Sequence, residues 1–303
     1  MKKWLFLTII FLSFIFQSFA DETDNFTYSK IELIDSSQII NEKFNYYLQK
    51  GIDDANLLNK GNDKKVLYKS LKKYITDKTS DESIITDLYK DKNLDIISIK
   101  KSESIYKNWT LREGLSLGKK NTFIGSVVNF NGVQIGVDKL EHMFRTGRIL
   151  FGALDRGWEF DNVLKLSYFM ERWLLGGNRI GASIISYGDL SANFNGIRLW
   201  NDLLGNYPDP LGREISHYIV FEENLWYLQN EVDLKNYIDE SFDERINSST
   251  FSHKSSTEKF AENVEEAKEE GLVENVGYSE NKEVMDNLIL KYGEYSENVI
   301  NKN

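Results

Sequence analysis

Cysteine is absent from the whole chain, and the absence removes several kinds of chemistry at once. Thiol nucleophiles, thiolate metal sites and disulfides cannot be built. Proline is nearly missing too, since Pro208 and Pro210 are the 2 in the sequence; with 41% hydrophobic residues, collagen-like and wholly disordered classes do not fit. Histidine occurs 3 times, as His142, His217 and His253, so candidates for imidazole chemistry are few. Basic charge is in deficit, 37 Lys+Arg against 47 Asp+Glu, a net −10. That balance repels nucleic acid and anionic lipid surfaces over any long range. Neither a Gly-x-Ser-x-Gly elbow, a His-Glu-x-x-His pair, a Walker loop nor a dinucleotide fingerprint occurs.

What is present begins with a long apolar run. Residues 1–20 open with Lys2 and Lys3, continue through an apolar stretch of about 14 residues and end on Ser18-Phe19-Ala20. This reads as a cleavable export signal, with the mature chain expected from Asp21. A retained anchor is the rival, but a bilayer span needs ~20 apolar residues. The expectation is a periplasmic or secreted protein with no spanning segment after cleavage. Without disulfides it must rely on its core, which a chain of this length can bury.

Three segments follow. Residues 21–104, after the signal at 1–20, form a polar N-terminal helical segment in which Ile39, Ile40, Phe44, Tyr47, Leu48 and Ile52 fall near helical spacing, with Ser36 or Ser37 as a cap. Residues 105–247 form a central helical domain carrying two small β-hairpins, at about 126–135 and 215–228. Asn131-Gly132 is the strongest turn signal, since both positions tolerate positive φ. Three helical runs in the centre, from Asp138, Phe160 and Gly188, each close on Gly, as a helix end prefers. The acidic stretch 233–247 reads as a further helix. Residues 248–303 are polar nearly all round and read as a flexible tail or a loosely attached helix. The fold class expected is mainly α, a helical bundle with two hairpins.

The chemistry concentrates in the central runs. Asp138, Glu141 and His142 stand at the head of a helix whose apolar face is Leu140, Met143, Phe144, Gly147, Leu150, Phe151 and Leu154. Asp138 and His142, four apart, share one face, so the acid could orient the imidazole as a base or join it on a metal. The plainer account is a capping box, Asp138 accepting from backbone N–H groups and Glu141 reaching back. That account leaves His142 unexplained. In the third run Asp189, Asn193 and Gly196 make a polar and small stripe, with Ser186 three before Asp189 as a cap. Asn193 is a poor helix former, so its amide needs a partner. Gly196 costs ~1 kcal/mol relative to Ala and implies close helix approach. Glu171 lies late in the apolar pattern of the middle run.

Taken in order, Asp138-Lys139-x-x-His142, Glu171, Arg179 and Asp189-x-x-x-Asn193-x-x-Gly196 resemble the motif of the VanZ-like family, small helical membrane proteins of bacteria, and of related periplasmic lipoproteins. The likeness covers residues 138–196. It implies that three helices pack with these polar residues converging, in proteins linked to envelope phenotypes such as glycopeptide resistance. It implies a site more than an activity. The chain departs from the family in the charges Arg145, Arg148, Lys165, Glu171 and Arg172, each costing about 2.5 to 3.5 kcal/mol at mid-bilayer, and in a longer interval from Arg179 to Asp189. The arrangement also looks like exported proteins of Gram-negative bacteria.

Three readings follow. In the first, favoured, an exported cell-envelope protein holds the cluster Asp138, His142, Glu171, Asp189 and Asn193 for fold or ligand binding without turnover. In the second, the same residues serve a metal-assisted or acid–base hydrolase of cell-wall or lipid material: His142 is ligand or base, Asp138 orients it, and Glu171 or Asp189 is second ligand or general acid. One His among carboxylates suits Mg, Mn or Ca better than zinc. The third is an interaction module, binding an envelope component or another protein through Tyr218, Trp226 and Tyr227.

Overall fold

The computed structural model describes residues 22–302 except 28, 116, 118–123, 179–180 and 206. The expected export signal and Arg179 therefore lie outside the described residues. Within them the chain is mainly helical, with short strands in small antiparallel sheets. No helix among the described residues is long and apolar enough to cross a membrane.

Helix α1 (Ser37–Leu57) buries Ile40, Phe44, Tyr47, Leu48 and Ile52, as their spacing requires. Asp35, not Ser36, caps its start, accepting from Ser37 N at 2.9 Å. It packs against α2 (Lys64–Thr76), and α3 (Ile84–Lys90) follows, capped by Ser83. A second face of α1 carries asparagines. Asn56 donates to Trp226 O at 2.9 Å and accepts from Trp226 N at 2.8 Å; Asn45 does the same for Val232 at 2.9 and 2.8 Å. The amides replace a neighbouring strand for backbone that would otherwise lose its partners.

Strands β1 (Ile96–Ile97), β2 (Val127–Phe130) and β3 (Val133–Gly136) form an antiparallel sheet in that order. The β2–β3 link is Asn131-Gly132, with φ of 51° and 88°. Gly136 passes directly into a long helical run. That run has three parts: α4 (Val137–Glu141), a π-helical segment His142–Thr146, and α5 (Gly147–Leu154). Next come α6 (Phe160–Trp173), β4 (Ile184–Ile185) and α7 (Tyr187–Leu204), which ends on left-handed Gly205. From Gly188 to Leu204 every residue of α7 is buried, so it is the central helix.

Glycine sets how closely α7 meets the run before it. A β-carbon on Gly196 would lie 2.2 Å from Met143 O, and one on Gly147 would lie 2.4 Å from Gly196 Cα. The two backbones touch, as Gly196 implied. Trp200 Nε1 donates to Phe144 O at 2.9 Å and satisfies a carbonyl of the π segment.

After α7, β5 (Ile219–Glu222) pairs antiparallel with β6 (Leu225–Leu228). The stretch 233–247 is not the helix its pattern suggested. It forms 3-10 turns at Leu234–Asn236 and Glu240–Phe242. The reason is local: Asp233, Asp239 and Asp243 each accept from the backbone N–H two residues on, at 3.0, 2.9 and 2.9 Å, and such Asx turns compete with helix. Residues 248–302 carry regular structure. After β7 (Thr250–Phe251), which pairs with β4, come α8 (Lys254–Glu269), α9 (Lys282–Tyr292) and α10 (Ser296–Val299). Met285, Leu288, Tyr292, Val299 and Ile300 enter the main core. Tyr218 and Trp226 are buried in that core as well, and Tyr227 is exposed.

Candidate functional site

The three helical runs bring their polar residues to one place, and the hub is a residue with no role in the sequence reading. Lys139 is wholly buried, and its Nζ lies 2.8 Å from Asp138 Oδ2, 2.8 Å from Asp189 Oδ1 and 2.8 Å from Glu244 Oε1. Gly188 lets α7 come in over the Lys stem, since a β-carbon there would lie 2.9 Å from Lys139 Cε. An ammonium out of water is tolerable only with such partners.

This contact replaces the expected capping box. Asp138 accepts from Lys139 N at 2.8 Å and pairs with its ammonium, and the helix opens on Gly136 without a side-chain cap. Glu141 does not reach back; it turns outward to Lys78 at 2.8 Å and Arg145 at 3.0 Å. Nor is Asp138 the partner of His142. His142 Nε2 lies 3.3 Å from Asp189 Oδ2, and its Nδ1 lies 3.3 Å from Asn193 Oδ1. The π turn begins at His142, and such turns recur at functional sites.

The Asn193 amide is oriented by its other end, which donates Nδ2–H to Ser167 Oγ at 3.2 Å. In this orientation its carbonyl oxygen can only accept, which suits an Nδ1–H of His142. Nε2 is then left facing Asp189, either with a second proton or with a lone pair available to a cation.

Glu171 completes the convergence. It is wholly buried, its Oε1 accepts from Ser186 N at 3.3 Å, and its Oε2 has no hydrogen-bond partner. Ser186 caps α7 by accepting from Asp189 N at 3.0 Å, as expected, and donates its own hydrogen to Glu244 Oε1 at 2.7 Å. Glu244 Oε2 is a second buried oxygen without a partner. Glu22, also buried, adds a fifth carboxyl from the start of the described chain.

Burial dominates the protonation of this group. It drives Glu171 well above the usual carboxylate range, with Asp189 pushing the same way. Burial likewise lifts Asp138 to about 8, where Asp189 and Glu244 add to it and Lys139 opposes. Asp189 alone moves down: burial raises it, but His142 and Lys139 outweigh that and keep it ionised. Lys139 rises despite burial, because Asp138, Asp189 and Glu244 surround it. Burial thus favours the neutral forms of Glu171 and Asp138 in a site that a cation would also neutralise.

His142, Glu171 and Asp189 each offer a ligand atom, and these atoms lie within 4.8 Å of one another. One imidazole with carboxylate oxygens fits a hard divalent cation such as Mg²⁺, Mn²⁺ or Ca²⁺. Asp138 sits beside this trio on Lys139, and Asn193 behind His142.

Sequence reasoning thus brought together the right helices but missed Lys139, Ser167, Ser186 as a donor, Glu244 and Glu22. Lys139 had a signal, its place inside the motif. Glu244 was hidden in an acidic stretch that reads as a solvated face, and Glu22 lies more than a hundred residues from its neighbours. No protein-family model, no curated protein and no solved structure matches the chain.

Proposed function

We propose that this is an exported cell-envelope protein in which His142, Glu171 and Asp189 bind one hard divalent cation, for fold or ligand binding and without turnover. The observation that carries the reading is the convergence of one ligand atom each from His142, Glu171 and Asp189 within 4.8 Å of one another, with one buried Glu171 oxygen lacking a hydrogen-bond partner. Asn193 supports it by offering Oδ1 to Nδ1 of His142, with Nε2 toward Asp189, the outer hydrogen bond that metal-bound histidines use. Lys139 offsets Asp138 and Glu244, the acids outside the trio. We read the helical part as a bundle with two hairpins, in keeping with the VanZ-like motif, located in the periplasm or outside the cell.

Burial weighs against the hydrolase reading: Lys139 and Glu171 have no exposed surface, and His142 retains 7%. A polymer or lipid has little to approach.

The test is thermal melting of the purified protein after chelation, with and without Mn²⁺, Mg²⁺ or Ca²⁺. A ligand at a hundred times its Kd stabilises by about 2.7 kcal/mol, a rise in Tm of roughly 5–10 °C at this size. Glu171→Gln should abolish the rise. No rise with any of the three ions in the unsubstituted protein refutes the reading. Hydrolysis of a cell-wall or lipid substrate that is lost in Glu171→Gln would replace it with the second.

A further inference from the structure

The trio leaves one acid at the same place without a role. Glu22 comes from outside the three helices, on a segment that the rest of the chain holds firmly. Its carbonyl accepts from Gly125 N at 2.7 Å, and Thr23 forms a parallel bridge with Gly125. Two residues on, Asp24 accepts from Phe26 N at 2.9 Å, Thr27 N at 2.9 Å and Ile105 N at 3.0 Å. Phe26 then packs edge-on against Phe260 of α8, ring centres 5.3 Å apart. The segment is tied at three points within six residues, so the direction of the Glu22 side chain is set by the fold.

That direction is toward Glu171. A β-carbon on Gly176 would lie 2.6 Å from Glu22 Oε1 and 3.3 Å from Glu171 Oε1, so the two carboxyl groups meet above one glycine. Any larger residue at 176 would fill the space they share. Two carboxylates brought together away from water cannot both ionise without a cation between or beside them. Ion pairing with Lys139 does not resolve this, because its Nζ is already shared by Asp138, Asp189 and Glu244.

We propose that Glu22 is a further ligand of the divalent cation, joining His142, Glu171 and Asp189 and brought to them by the 22–27 segment. The inference rests on the cation reading above and deepens it. The donor set becomes one imidazole and three carboxylates, a hard set suited to Mn²⁺, Mg²⁺ or Ca²⁺. Cation binding and docking of the 22–27 segment then stabilise one another, since each supplies what the other lacks.

Mn²⁺ titration of the full chain by calorimetry, after removal of bound metal, tests it. The unsubstituted protein is expected to take one Mn²⁺, and Glu171→Gln to lose it. Glu22→Gln should weaken binding by at least about 10- to 100-fold, the loss typical of removing even an outer partner of a metal site. Gln resembles the protonated acid in shape and charge, so metal-free Glu22→Gln should melt like the parent, while its Mn²⁺-induced rise in Tm shrinks. Should Glu22→Gln fold poorly, Glu22→Asp keeps the charge but shortens the reach, and should show the same loss of affinity. If Glu171→Gln abolishes binding while either Glu22 variant binds within twofold of the parent, Glu22 is not a ligand and the trio stands without it. If the parent binds no Mn²⁺, Mg²⁺ or Ca²⁺, the cation reading itself falls, and this inference with it.

Discussion

Replacing Lys139 by Met removes the positive charge at the centre of the cluster while keeping most of its buried stem. Asp189 and Glu244 lose an ammonium at 2.8 Å each, and Asp138 loses its ion-pair partner at the same distance. Taking one partner from a buried ion pair costs about 3–5 kcal/mol, because the charge left behind is neither hydrated nor paired. At roughly 2–4 °C per kcal/mol for a chain of this size, Tm should fall by about 6–20 °C. The loss should also depend on pH, with a sign that follows from Asp138. Its folded pKa is already pushed up to about 8 by burial, followed by Asp189 and Glu244 against Lys139. Without the ammonium it rises further. A raised carboxyl pKa favours the folded state at low pH and loses that advantage as pH climbs through the folded value. Lys139→Met should therefore sit closer to the parent near pH 7 than near pH 9, on either side of the parent's folded value of about 8, both melted with a chelator present and followed by circular dichroism. A variant within about 2 °C of the parent at pH 8 would refute the account of Lys139 as the charge that holds the cluster together, on the same scale. So would a deficit that does not change with pH.

Gly196→Ala should lose about 1–3 kcal/mol to overpacking, more than the ~1 kcal/mol gained in helix propensity, because its β-carbon would meet Met143 O at 2.2 Å and Gly147 Cα at 2.8 Å; urea unfolding checks this, and a variant as stable as the parent contradicts the backbone contact. Asn56→Ala removes both hydrogen bonds to Trp226 and should cost about 1–3 kcal/mol for the unpaired backbone groups, visible as earlier hydrogen exchange at Trp226. Glu113 supplies an acid-side prediction: burial raises its pKa, but hydrogen bonds from Thr110 and Lys259 outweigh this and bring it to about 2 from 4.5. With a depressed folded pKa its contribution is present above 4.5 and fades as pH drops from there to about 2. The stability gap between the parent and Glu113→Gln should therefore narrow between pH 6 and pH 3, and a gap that widens instead counts against the pairing with Thr110 and Lys259.

Local pattern carried the sequence reading where each residue's environment lies within a few turns of chain. The apolar spacing of Ile40, Phe44, Leu48 and Ile52 dictates a helix whatever surrounds it, and Asn131-Gly132 requires a backbone that other pairs adopt at a cost. Pattern misled wherever two local structures compete. At 233–247 the apolar spacing suits a helix, but aspartates that bond to their own backbone favour turns, and only the surroundings choose between them. The tail shows the same limit from the other side. Its mean polarity says nothing about Met285, Leu288 and Tyr292, which are buried because α7 and its neighbours leave room for them.

For the site, sequence by itself determined the ingredients: a chain without thiols, with three histidines, and with Asp138, His142, Glu171, Asp189 and Asn193 on three helices that contain the glycines needed for close approach. It also established that Asn193 would need a partner. Tertiary structure alone decided who meets whom. The capping box gave way because Lys139, adjacent to Asp138, finds two more carboxylates once α7 and the loop at Glu244 close over it. Ion pairing among buried groups depends on distances of a few ångströms between segments far apart in sequence, and on the removal of water. Neither quantity exists until the core has formed.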